Sequence, residues 1–129
     1  MSNHIQIITL VLSLLLTACS STPQQVMPMM DISSDQDAHR ATTSLLAKVD
    51  VQEGAQNWER AAALLERALR IEPRNAQLWH RLAQIRLQQG QYHAAENLAR
   101  KSNTLARGDD QLQERNARLL KQARALAKE

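Results

Sequence analysis

Trp79-His80-Arg81-Leu82-Ala83-Gln84-Ile85-Arg86-Leu87-Gln88-Gln89-Gly90-Gln91-Tyr92-His93-Ala94-Ala95 reads as one helix, a stop and the opening of a second. Gly90 can take the left-handed conformation that ends a helix at no steric cost. The same pattern stands earlier in the chain. Trp58-Glu59-Arg60-Ala61 aligns with Tyr92-His93-Ala94-Ala95 at an offset of 34 residues, aromatic over aromatic and alanine over alanine. Each residue type has a physical reason. Ala61, Ala83 and Ala95 are small enough for two helices to approach closely, and Trp58, Trp79 and Tyr92 fill the space between helices. Pro73 cannot continue a helix and marks the exit from one.

A period of 34 residues, with two antiparallel helices in each unit, resembles the tetratricopeptide repeat. The second unit carries the pattern best. Trp79, Leu82 and Ala83 stand at the Trp, Leu and Gly positions of its first helix, with Gly90, Tyr92 and Ala95 at the turn and the second helix. The first unit supplies Trp58, Ala61, Leu65, Ala68 and Pro73. The chain departs from the family at Arg86, where Tyr is common, at Ala99 in place of Phe, and at Arg107 in place of the exit Pro. The first helix of the first unit has only Leu45 and Val49 in register. The resemblance covers residues 42–109. It implies an all-α fold, a short α-solenoid of two helix pairs closed by a C-terminal capping helix.

The pattern predicts helices over residues 36–53, 57–71, 76–89 and 92–106. Ser34 or Asp35 would cap the first and Asn57 the second. Gly108 then breaks the chain, and Asp109 or Asp110 caps a fifth helix to residue 127. In that helix Leu112, Leu119, Ala123 and Leu126 share a stripe, while Arg118, Lys121, Arg124 and Lys128 fall largely on other faces. An apolar inner stripe with a charged outer face is what the end of a repeat array requires.

Upstream, Ile5–Leu16 is an apolar run followed by Thr17-Ala18-Cys19. It is too short for a membrane-spanning helix, which needs about 20 residues, and has the length of a signal peptide. The leading Met1-Ser2-Asn3-His4 lacks the usual Lys or Arg. Leu16-Thr17-Ala18-Cys19 resembles the lipobox of bacterial lipoproteins. That resemblance implies a signal peptide over 1–18, cleavage before Cys19 and a covalent lipid on it. Ser20 resembles the outer-membrane sorting position, giving a lipid-anchored protein facing the periplasm. Residues 19–34, with Pro23, Pro28, Met27, Met29 and Met30, show neither helical nor strand period and are expected to be a disordered tether. The fifteen residues from Ser20 to Ser34 reach about 50 Å when stretched and about 20 Å as a coil. The repeat domain with its cap is assigned to 35–129.

Chemistry is sparsely provided for. Cys19 is the only cysteine, so the mature domain has no internal disulfide and no thiol nucleophile. His80 and His93 have no carboxylate or thiol at metal-ligand spacing and read as ordinary surface or groove residues. Asp109-Asp110 is a helix cap before it is a catalytic pair, and no Gly-rich phosphate loop occurs. The reading is of a non-enzyme with no cofactor beyond the lipid and no small-molecule substrate. Residues 31–53 hold two basic against five acidic residues, and residues 54–129 hold 14 against eight. The basic part could meet an acidic partner or anionic head groups; nucleic acid is not expected, because no stacking aromatics are placed for it.

What such a module does is bind a protein. The first helices of the repeats would line a concave face with Thr43, Leu46, Asp50, Gln77, His80, Arg81, Gln84 and Gln88. The fixed Lys and Asn set with which some eukaryotic repeat domains grip a peptide carboxylate is not at the matching positions. Arg118, Lys121, Arg124 and Lys128 form an alternative basic patch. A small lipoprotein with a short tether and two repeats is similar to the LpoP-type activators of bifunctional peptidoglycan synthases. That similarity implies a penicillin-binding synthase as partner, docked on and stimulated by this domain. The alternatives are a pilotin-like assembly factor, which guides a secretin, and a general envelope scaffold.

Overall fold

A computed structural model describes the backbone of residues 32–129 and the side chains of residues 34–129. The lipobox, Cys19, the signal peptide and the tether up to residue 31 lie outside the described residues. The described chain forms five helices: α1 (Ile32–Gly54), α2 (Trp58–Ile71), α3 (Ala76–Gln88), α4 (Tyr92–Leu105) and α5 (Asp110–Leu126). No strand occurs among the described residues. Residues 31–129 make one compact unit. Each helix packs on the next in chain order, and α3 also touches α5.

The turns follow from the residues at them. Asn75 caps α3, its Oδ1 accepting from the N–H groups of Gln77 (3.1 Å) and Leu78 (3.4 Å), which supplies two of the donors a helix start leaves unpaired. Asp109 does the same for α5 through Leu112 N–H at 2.9 Å. Asn75 and Asp109 are one repeat period apart, so α5 begins where the first helix of a third repeat would begin. Asn57 stands at the N-cap of α2 without a side-chain cap bond; its amide donates to Gln52 Oε1 instead. At the end of α3, Gly90 has φ +72°, its N–H bonds Leu87 O, and Gln91 N–H bonds Arg86 O. These two bonds make the closed C-terminal turn in which a left-handed residue pairs the last carbonyls. The α1–α2 turn has the same two bonds, Gln56 to Glu53 and Asn57 to Gln52. Its left-handed residue is Gln56, at φ +56°, one period before Gly90.

The first helix differs from its expected bounds. It begins at Ile32, so Ser34 and Asp35 lie within it rather than at its N-cap, and residues 32–34 are helical where a disordered tether was expected. Residues 34–37 and 39–41 are solvent-exposed. Among the described side chains of α1 only Thr42, Leu45 and Val49 are buried, consistent with a helix that covers the next one along its second half.

The core has two adjoining parts. Leu45 and Val49 of α1 meet Ala61, Leu65 and Ala68 of α2 and Leu78, Leu82 and Ile85 of α3, with Trp58 and Trp79 half-buried at the rim. Ala83 and Leu87 of α3 meet Ala95 and Ala99 of α4 and Leu119 and Ala123 of α5, with Tyr92 at the rim. α3 therefore feeds both clusters. Ala61, Ala83 and Ala95 have no exposed surface, as expected of residues at the closest helix approach. The aromatics pack at the cluster edges. Trp79 Nε1 donates to Pro73 O at 2.9 Å, and Lys101 Nζ lies 5.9 Å from the centroid of its ring.

Along α5 the apolar stripe is interrupted. Leu112, Leu119 and Ala123 are buried, Leu126 is half-buried, and Asn116 sits among them with no exposed surface. A buried amide needs partners, and Asn116 has them. Its Nδ2 donates to Ser102 Oγ on α4 at 2.9 Å, and its Oδ1 lies 2.7 Å from His80 Nδ1 on α3. Ser102 Oγ in turn donates to Ala76 O at 2.8 Å. One polar chain thus joins α3, α4 and α5.

Candidate functional site

Two open hollows run side by side along α3 and α5, of about 370 and 350 Å³. His80, Gln84 and Arg115 line both, making one trough. Leu46, Asn75, Gln77, Leu78 and Arg81 complete the first hollow; Leu87, Gln88, Arg118, Leu119 and Gln122 complete the second. The trough presents amides, arginines and one imidazole over an apolar floor, and no carboxylate of the described residues lines it. Such a surface offers directed hydrogen bonds to a peptide backbone or to anionic side chains.

His80 lines the trough and is buried at 7% exposure, so of the surface and groove positions expected for it the structure shows the groove. The carbonyl oxygen of Asn116 is an acceptor, so His80 Nδ1 carries the proton of that bond and Nε2 is the ring's remaining polar atom. Burial pushes the His80 pKa below its ordinary value; the Asn116 bond opposes the shift, and the charge of Arg115 adds to it. The ring is therefore neutral at pH 7.

Arg81 is less free than the sequence suggests. Its guanidinium bonds Glu53 through Nε (3.0 Å) and Nη2 (2.9 Å), and Asp50 through Nη2. The Glu53 hydrogen bond is the main reason its pKa is raised. This ties α3 back to α1, so Arg81 is a structural fastener as well as a wall of the trough. Asp50 faces Arg81 and lines neither hollow. Thr43 is exposed and donates to His39 O in its own helix at 2.9 Å. Leu46, Gln77, His80, Arg81 and Gln84 come together in the first hollow, and Gln88 stands in the second.

The alternative basic patch divides. Arg118 lies in the trough, held 2.6 Å from Glu114. Lys121, Arg124 and Lys128 lie with Ala117 and Leu120 along another side of α5. Arg124 Nε is 2.6 Å from Glu96, which also bonds Arg100 at 2.6 Å. The Arg124 hydrogen bond is the main cause lowering the Glu96 pKa.

Among the polar residues in or beside the trough, Asn75, Arg115, Asn116 and Gln122 were missed, as were the apolar Leu78, Leu87 and Leu119 of its floor. Arg115 had a usable signal, since it stands one repeat period after Arg81. Asn116 stands one period after Leu82, a position that in the preceding unit is apolar core. Among the described residues no group of three or more His, Cys, Asp or Glu side chains could hold a metal ion, and no helix is long and apolar enough to cross a membrane.

The tetratricopeptide repeat family model matches residues 52–122, from the end of α1 into α5. Among solved structures, the globular C-terminal domain of Pseudomonas aeruginosa LpoP matches with 40% sequence identity and a TM-score of 0.66. The match covers 68% of this chain and 83% of that one. No curated protein matches the chain. A short all-α repeat solenoid with a cap, this chain belongs to the tetratricopeptide-repeat family as an LpoP-like protein, a module for protein interaction.

Proposed function

We propose that this chain is an outer-membrane lipoprotein that docks on a bifunctional, penicillin-binding peptidoglycan synthase and stimulates its synthesis of glycan strands. The observation that carries the reading is the 40% identity to the LpoP domain over 83% of that domain's length. In this reading Cys19 bears the lipid, residues 20–31 and the exposed start of α1 span the gap to the membrane, and the repeat domain makes the contact. Stimulation then needs binding energy and no bond chemistry. A rigid domain bound preferentially to the active state of the synthase shifts its population toward that state, by as much as its affinities for the two states differ.

The trough is the favoured contact surface, because it gathers backbone-directed amides and arginine in one place, and arginine is enriched among interface hot spots. The test is glycan-strand synthesis by the purified synthase with and without the soluble unit 31–129. Stimulation supports the reading. No stimulation across a range of concentrations overturns it, and co-purification with a secretin would then favour the assembly-factor alternative.

A further inference from the structure

The repeat register sets Arg81 and Arg115 at equivalent places on α3 and α5, 34 residues apart. Their surroundings differ in one respect. Arg81 is met by two carboxylates from the helix before it, Asp50 and Glu53. The residues one period after those carboxylates are Gln84 and Leu87, so the chain repeats the cation without repeating its counter-charge. Among the described residues Arg115 forms no ion pair. Its Nη2 donates to the neutral Gln77 Oε1 at 3.3 Å, and its Nε is buried without a partner. A buried guanidinium N–H lacking an acceptor is costly, and a carboxylate is the acceptor whose two oxygens fit the planar fork.

We propose that Arg115 is the seat for an Asp or Glu side chain of an extended segment of the protein partner, bound where Asp50 and Glu53 sit on Arg81. The inference rests on the protein-docking reading above and names the chemistry of the partner. Gln77 and Gln84 flank the seat with amides that can meet the segment's backbone, and His80 Nε2 can accept one of its N–H groups. The neighbouring cations do not compete, since Arg81 and Arg118 already hold carboxylates of this chain. The anchor lies on the capping helix, outside the two complete repeats.

The experiment uses the soluble unit 31–129 and a library of capped peptides, randomised around a central residue fixed as Glu, Gln or Lys. Glu-centred peptides are expected to bind at least about tenfold tighter than their Gln counterparts. Arg115→Gln should abolish that preference, and Arg107→Gln, on the exposed α4–α5 turn, should leave it. Gln84→Glu gives Arg115 an internal carboxylate; it should also abolish the preference without lowering the melting temperature. Absence of any Glu preference, or a preference persisting in folded Arg115→Gln or Gln84→Glu protein, overturns the inference. If Arg115→Gln does not fold, Gln84→Glu decides. The synthase assay separates the two claims. A Glu preference without synthase stimulation keeps the seat and removes the synthase. Stimulation that is equal for Gln84→Glu and unmutated protein keeps the synthase and removes the seat.

Discussion

His80 on α3 and Asn116 on α5 meet at 2.7 Å, and neither side chain is more than 7% exposed. The pair positions one wall of the trough and anchors the last helix in the same stroke. Its removal has a calculable cost. Asn116→Ala leaves His80 Nδ1 without its buried partner, at about 1–3 kcal/mol, while Ser102 Oγ keeps its bond to Ala76 O. For a domain of this size that lowers Tm by roughly 5–20 °C. A thermal melt followed by circular dichroism checks it, and a loss of only a degree or two would mean that the chain is not closed by this residue.

The same pair makes stability depend on pH. Because the folded His80 pKa is lowered, the unfolded chain takes up a proton at a pH where the folded ring still resists it. The contribution is fully present above the unfolded value of about 6.5 and is lost as pH falls below it. Tm should decline as pH falls below about 6.5. His80→Gln, which keeps a donor for Asn116 and cannot titrate, should flatten that decline. Equal slopes for the two proteins would exclude His80 as its source.

Ala95 has no exposed surface and sits between α3, α4 and α5. A larger side chain there overpacks, typically by about 1–3 kcal/mol. Ala95→Leu is expected to melt well below the surface control Lys128→Ala. Matching melting temperatures would contradict the packing described.

Gln56 occupies the left-handed turn that Gly90 occupies one period later. The conformation costs a non-glycine residue roughly 1 kcal/mol. Gln56→Gly should raise the free energy of unfolding by about 0.5–1 kcal/mol, after its extra unfolded-state entropy is offset. Urea denaturation resolves a shift of this size. A lower midpoint would show that the glutamine side chain contributes more than its backbone strain costs.

Arg81 joins α1 to α3 through Glu53. The two side chains are partly covered, at 26% and 29% exposure, so the pair is worth about 0.5–1 kcal/mol, more than a fully exposed one. Arg81→Ala and Glu53→Gln together should cost less than the sum of the single losses, by about that amount. Strict additivity in a double-mutant cycle would dissolve the tie. Charge reversal at Arg81 would set three carboxylates together, so it perturbs folding as well as any contact.

Cys19 carries the anchoring claim. Cys19→Ala is expected to block lipidation and processing and to release the protein from the membrane fraction, because acyl chains supply about 0.8 kcal/mol per buried methylene. The readout is metabolic labelling with palmitate, followed by membrane fractionation. Unchanged maturation and fractionation would refute the lipobox.

What the sequence revealed is what repeats. The 34-residue offset located α2 to α4, the Gly90 turn and the close-packed alanines, and the Gly108 break, the Asp109-Asp110 pair and the apolar stripe located α5, because each answers a local steric demand. The residues that escaped are those whose partners lie far along the chain. Arg81 read as one wall residue of a concave face, since nothing local announces Asp50 and Glu53. The depth of His80 was not legible because its partner is a lone amide in an otherwise apolar stripe. The start of α1 was misplaced because Ser34 and Asp35 favour caps, yet a helix already carried by its later packing can run through them. Arg115 was legible and unread; the period that aligned Trp58 with Tyr92 also aligns it with Arg81.

The sequential packing of the helices has a mechanical meaning. α1 rests on α2, meets α3 through Leu45, Val49 and the Arg81 ion pairs, and forms the N-terminal end of the described chain. A pull between that end and a body held at α3 and α5 is carried first by the α1 interface. Should α1 peel and unravel, its 23 residues would lengthen the link by roughly 40 Å, the difference between helical and extended rise. The cluster that α3 shares with α4 and α5 would stay closed, while the one that Leu45 and Val49 join would lose a wall. If Cys19 bears the lipid proposed above, the domain would be a grip with a sacrificial spring at its tethered end, able to yield in length before it yields its hold.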